Sequence, residues 1–163
     1  MKTIDYKTKL ITRTGVLLAL TIGLQLLSRS LGSTILFTGS LVNMMLIIAV
    51  EILDWQGGVS LGVFTPIIAF LLGIMKFPLV VPFIIVGNSV LVLGYYFLKS
   101  YNSYLALVVG AVAKFLVLAI TVEYVLQVPP PIVQIMQLPQ LYHALLGGML
   151  AILFIKVLHR TDI

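Results

Sequence analysis

Residues 103–127 read SYLALVVGAVAKFLVLAITVEYVLQ, with only Lys114 and Glu123 charged. An α-helix needs roughly 20 mainly apolar residues to cross the hydrocarbon core of a bilayer. Barrel strands instead alternate apolar and polar side chains with a period of two, which this stretch does not. Comparable runs lie on both sides of it: Ile11–Leu31, Gly39–Leu53, Gly57–Met75 and Leu79–Leu98 before, and Leu138–Leu158 after. Together they predict an all-α integral membrane protein, a compact bundle of six transmembrane helices forming a single domain over residues 1–163. The second run is short for a full crossing and is expected to tilt little or thin the bilayer locally.

The breaks between runs have physical causes. Asp54-Trp55-Gln56-Gly57-Gly58 reads as a tight polar turn, and Lys76-Phe77-Pro78 and Lys99-Ser100-Tyr101-Asn102 as further interruptions. Pro129-Pro130-Pro131 is expected to stop the fifth helix, because consecutive prolines remove N–H donors and fix φ. Pro139 suits the first turn of the sixth helix.

Composition supports the same class. Of 163 residues, 61% are hydrophobic and 9% charged, against roughly 45–50% and about 25% in soluble domains. Such a chain cannot cover a globular surface with polar groups, so soluble enzyme, disordered tail and nucleic-acid-binding domain are all poor readings. No nucleic acid is expected as a partner. The net charge of +5 comes from ten Lys and Arg against five Asp and Glu, and reads as an orientation signal. With six spans both termini share a side. Cytoplasmic termini put seven cations inside (Lys2, Lys7, Lys9, Arg13, Lys99, Lys156 and Arg160), two outside (Arg29 and Lys76), and Lys114 within the membrane. That asymmetry obeys the positive-inside rule and predicts a multi-pass cell-membrane protein with cytoplasmic termini. Tyr6, Trp55, Tyr95, Tyr96, Tyr101 and Tyr104 fall near the inner interface, Tyr124 and Tyr142 near the outer. A cleaved signal peptide is the lesser reading of the first run, which is long for one and has a poor cleavage site around Ser30-Leu31-Gly32-Ser33.

No catalytic constellation is apparent. The chain has no cysteine and only two histidines, His143 and His159. It lacks the phosphate-binding Gly-rich loop ending in Lys-Ser/Thr. No metal site, cofactor or enzymatic activity is expected. Polar residues inside apolar runs are the remaining candidates, since an intramembrane polar group normally faces protein or an aqueous cavity. By depth, Gln25, Asn43, Glu123, Gln140 and His143 fall toward the outer side, with Asn88 and Lys114 near the middle. Gln140 and His143, three residues apart, share a helix face with Gly147. These positions predict an outward pocket with Gln140 and His143 at its mouth, Asn88 deeper and Lys114 at its floor. The plainer alternative is that Gln25, Asn43 and Asn88 only tie helices together, each bond worth about 0.6 kcal/mol, and that Glu123 is interfacial. Lys114 and Glu123, nine residues apart, occupy nearly opposite helix faces, so they do not pair within one helix. Lys114 is expected either to bind an anionic or carbonyl group of a substrate or to be a structural cation.

Small residues form a second pattern. Gly15, Ala19 and Gly23 recur every fourth residue on one face of the first run, and Gly58/Gly62, Ala69/Gly73, Ala106/Gly110 and Gly147/Ala151 repeat the spacing. Such stripes permit close helix approach in lipid. The paired cases read as internal packing.

Taken whole, the chain resembles the substrate-binding S components of energy-coupling factor (ECF) vitamin transporters. Gly15-Val16-Leu17-Leu18-Ala19 is similar to that family's first-helix small-xxx-small motif, and Thr65-Pro66-Ile67-Ile68-Ala69, Gly87-Asn88 and Ala113-Lys114 fit its general pattern. The resemblance implies six helices, cytoplasmic termini and a vitamin-sized, water-soluble ligand in an outward pocket lined by helices four to six and the first extracellular loop. It also implies that the first helix docks on a transmembrane coupling subunit, which works with two ATPase subunits. No motif names a particular vitamin or precursor. The alternative from another class is a small polytopic membrane scaffold (MreD-like) with no solute ligand.

Overall fold

The computed structural model describes residues 2–32, 35–126 and 128–160. Gln127, the expected end of the fifth run, and Ser33 of the weak cleavage site lie outside them. The described residues form helices and turns and no strand. The helices are α1 (Lys2–Ser30), α2 (Ile35–Leu71), α3 (Val81–Leu98), α4 (Ser103–Ile120), α5 (Pro130–Met136) and α6 (Leu138–Arg160). A 3-10 turn, Pro78–Val80, leads into α3, and a π turn, Thr121–Val125, extends α4. Five segments are long and apolar enough to cross a membrane: Tyr6–Ser30, Phe37–Leu71, Pro78–Leu98, Ser103–Val125 and Pro130–Arg160. The chain is therefore an all-helical, multi-pass membrane protein. Helices suit a bilayer because they satisfy every backbone donor and acceptor internally.

The expected second and third runs share one element, α2. Its helical course breaks at Asp54, where φ is 61° and ψ −172°. In a straight helix rising 1.5 Å per residue, Leu46 and Gly62 would stand about 24 Å apart. Instead, a Cβ at Gly62 would lie 3.6 Å from Leu46 Cδ2, and one at Gly58 would lie 2.6 Å from Val50 Cγ2. The element thus folds back at Asp54 into two antiparallel arms in close contact. Glycine at 58 is what lets the arms meet near the turn, because a side chain there would collide with Val50 and Val92.

The first arm is the centre of the molecule. Met45, Leu46, Ile47, Ile48, Ala49 and Val50 are all buried in unbroken succession, the signature of a helix surrounded on every side. Around α2 pack α1, α3 and α6, while α4 packs on α3 and α6. The α3–α4 crossing is tight because both sides are glycine: a Cβ at Gly94 would sit 3.1 Å from Gly110 Cα. Gly147 of α6 similarly lies against the backbone of Ser40 and Met44.

Chain ends and turns sort to two ends of the bundle. At one, Tyr6, Lys9 and Arg13 of α1 adjoin Ile52, Leu53 and Asp54. Tyr95 donates to Glu51 at 2.8 Å, Lys99 reaches Glu51 at 3.5 Å, and Lys156 donates to Tyr104 at 3.0 Å. At the other end, Arg29 donates to the Gly73 carbonyl at 2.7 Å, and Ser28 and Thr38 share a 2.6 Å hydrogen bond. Gly32 and Gly73, with φ of 65° and 67°, close α1 and α2 there as left-handed C-terminal caps.

Candidate functional site

The site starts from a proline. Pro66, in the second arm of α2, has no N–H to give the carbonyl four residues back, which is that of Gly62. Asn88 of α3 takes the role: its Nδ2 donates to Gly62 O at 3.1 Å. Gly62 permits this approach, since a Cβ there would lie 3.1 Å from Asn88 Cβ. With its NH2 bound to a carbonyl, the Asn88 amide is oriented and its Oδ1 points elsewhere. Asn43 of the first arm does the same, donating Nδ2 to Gly39 O at 2.8 Å. Both side-chain oxygens then converge on one ammonium: Lys114 Nζ donates to Asn43 Oδ1 at 2.7 Å and to Asn88 Oδ1 at 2.9 Å.

Asn43, Asn88 and Lys114 are each 2% exposed, so this is a buried cation held by neutral oxygens. No carboxylate of the described residues is within ion-pair distance of it; Glu51 engages Lys99. An ammonium has three N–H donors. Two are used here, and the third has no partner among the described residues.

These residues line a cavity of about 590 Å³, within the range typical of small-molecule sites. Gln25 of α1, Asn43 and Thr65 from the two arms of α2, Asn88 of α3, Lys114 of α4, and Gln140 and His143 of α6 all face it. Every substrate-binding candidate from the sequence is therefore brought to one cavity. Two of its polar groups are buried without a hydrogen-bond partner: Gln25 Nε2 and Thr65 Oγ1. Buried polar atoms are ordinarily satisfied, so these two are exceptions, both on residues that line the cavity. His143 is buried at 2% exposure, with Gly39 pressed against its ring so closely that a Cβ would overlap it. Gln140 keeps partial exposure. His143 is thus enclosed by protein, whereas Gln140 stays partly open.

Sequence reading passed over several lining residues. Arg29 and Lys76 featured only as orientation charges, and Thr65 only within a motif; all three line the cavity. Its apolar wall is built by Val80 and Ile84 around the start of α3, by Met75 and Phe77 of the preceding turn, and by Ile132, Ile135 and Met136 of α5. A Thr-Pro pair inside an apolar run was the available signal for the second arm, since it marks a helix with an unpaired carbonyl. Glu123 is exposed and lies 3.5 Å from Gln137, away from the cavity lining.

The first-helix stripe behaves differently from most of the other small-residue pairs; Gly73, read as packed with Ala69, is instead exposed with nothing within 4 Å of a built Cβ, because it caps α2 in the left-handed conformation. Gly15, Ala19 and Gly23 are all exposed, and nothing lies within 4 Å of a Cβ built at Gly15 or Gly23. By contrast Ala106, Gly110, Gly58, Gly62, Gly147 and Ala151 are buried in helix contacts. No family model, curated protein or solved structure matches the chain.

Proposed function

We propose that this chain is the substrate-binding S subunit of an ECF-type uptake transporter, capturing a small water-soluble solute from outside. In this reading the two arms of α2 each cross the membrane. With the other four long helices they make six crossings, and both termini are cytoplasmic. The observation that carries the reading is the convergence of Gln25, Asn43, Asn88, Lys114, Gln140 and His143, drawn from five helices, on one end-on cavity. A membrane scaffold has no need of a buried ammonium, two oriented amides and two unpartnered donors around one space. The cavity lies at the end of the bundle away from Lys9, Arg13, Lys99 and Lys156, so the positive-inside rule points it outward. The open Gly15–Ala19–Gly23 face is assigned to a transmembrane coupling subunit acting with two ATPase subunits, and the solute to the vitamins and their precursors.

Native mass spectrometry of the purified protein tests this. A co-purified small metabolite, lost on Asn88→Ala, is the expected result. A protein that carries no solute, together with uptake unchanged when the chain is deleted, overturns the assignment.

A further inference from the structure

The charge of the cavity wall is one-sided. Arg29, Lys76 and Lys114 line it, and no Asp or Glu is among its lining residues. The described acidic side chains are engaged or placed elsewhere: Glu51 with Tyr95 and Lys99, Asp54 at the turn of α2, and Glu123 near Gln137. A cation taken out of water is costly unless paired, and two neutral amide oxygens replace hydration without neutralising the charge. The remaining Lys114 donor and the unpartnered Gln25 Nε2 and Thr65 Oγ1 are all groups that can donate. The rest of the lining is largely apolar, with Met75, Phe77, Ile84, Ile132 and Met136 facing the same space.

Building on the proposed solute-binding reading, we infer that the ligand is a monocarboxylate with an apolar body, its carboxylate completing the shell of Lys114 and its body against the α3–α5 wall. Lys114 has one unpartnered N–H, which suits one oxygen of a singly charged group better than a phosphate dianion. Arg29 and Lys76, exposed near the rim, add a positive field that raises the local concentration of anions.

The test uses the full chain in detergent and three matched pairs of probes: hexanoate and hexanamide, phenylacetate and phenylacetamide, nicotinate and nicotinamide, with phenyl phosphate as a dianion. Ligand binding raises the unfolding midpoint in proportion to occupancy. At least one acid is expected to bind tenfold or more tightly than its amide and than phenyl phosphate. Lys114→Met and Lys114→Gln are expected to reduce the acid-to-amide ratio to about one. The contrast in the unmodified protein decides the question even if both variants fail to fold. No stabilisation by any acid, equal binding of acid and amide, tighter binding of the phosphate, or a ratio unchanged in a folded Lys114 variant overturns the carboxylate assignment. Equal binding of acid and amide leaves solute binding standing. Conversely, selective acid binding without coupled uptake removes the transport reading alone.

Discussion

At Lys114 the cost of placing charge in a membrane protein is met by geometry built from two backbone carbonyls. Gly62 O and Gly39 O hold the amide nitrogens of Asn88 and Asn43, and that orientation turns both amide oxygens toward Nζ. Replacing Asn88 with Leu deprives Lys114 of an acceptor and leaves Gly62 O unpaired, a loss of about 1–3 kcal/mol for buried polar groups. Pro66→Ala returns an N–H to the Gly62 carbonyl, so the same Asn88→Leu change is expected to cost about 1 kcal/mol less in that background. Asn43→Leu does not touch Gly62 and is expected to cost the same with either residue at position 66. Unfolding of the four-member cycle in mild detergent measures the coupling; an Asn88→Leu cost that is the same with and without the Pro66→Ala change would remove the proline's role. The sequence announced Lys114, Asn43 and Asn88 as anomalies in apolar runs, with Asn88 and Lys114 at one depth and Asn43 nearer the outer side. It could not announce their partnership, because contact between residues 71 and 26 positions apart depends on helix rotation, which apolar periodicity leaves undefined when every face is apolar.

At the scale of the helix, Asp54 holds the most unusual backbone among the described residues. Its φ of 61° and ψ of −172° fall in a region used almost only by glycine, at a cost of order 1–3 kcal/mol for other residues. Asp54→Gly is therefore expected to stabilise the protein by about 1 kcal/mol, while Asp54→Val, whose branched side chain resists positive φ, is expected to destabilise it by at least as much. Detergent unfolding reads both, and a stabilising valine would show that the turn relaxes to another conformation. The sequence signalled this turn through Asp54-Trp55-Gln56-Gly57-Gly58, and the chain reverses at the first residue of that stretch. The sequence left the stretch between the fifth and sixth runs blank, whereas α5 forms there at Pro130–Met136. Proline at the first positions of a helix costs no hydrogen bond, so the triplet starts α5, whereas the preceding π turn has already ended at Val125, with Leu126 extended, before Pro129 is reached. That short helix supplies part of the apolar wall of the cavity, which is why the wall was less legible than the polar floor.

Across the whole molecule, more of the cations gather at the end opposite the cavity than at its rim. Lys9, Arg13, Lys99 and Lys156 gather at one end, while Arg29 and Lys76 stand at the cavity rim. This polarity was legible in the sequence, since it follows from counting charges between apolar runs. Reporter fusions at both termini are expected to give cytoplasmic signals, and an external signal from the C-terminal fusion would invert the cavity and defeat uptake from outside. The fold also separates packed small residues from open ones. Spacing alone could not separate Gly15 and Ala19 from Gly110 or Gly147, because all belong to small residues four apart. The fold does: a side chain at Gly110 would meet Leu91 O at 2.9 Å, whereas one at Gly15 meets nothing. Gly110→Leu is accordingly expected to prevent folding, as overpacking a tight crossing costs several kcal/mol when backbone stands in the way. Gly15→Leu and Ala19→Trp are expected to leave the isolated protein folded, with its solute affinity unchanged, while abolishing co-purification with a coupling subunit, since a bulky residue blocks the close helix approach that small residues permit in lipid. Co-purification and uptake at unaltered levels in those two variants would show that the open face of α1 meets lipid rather than protein.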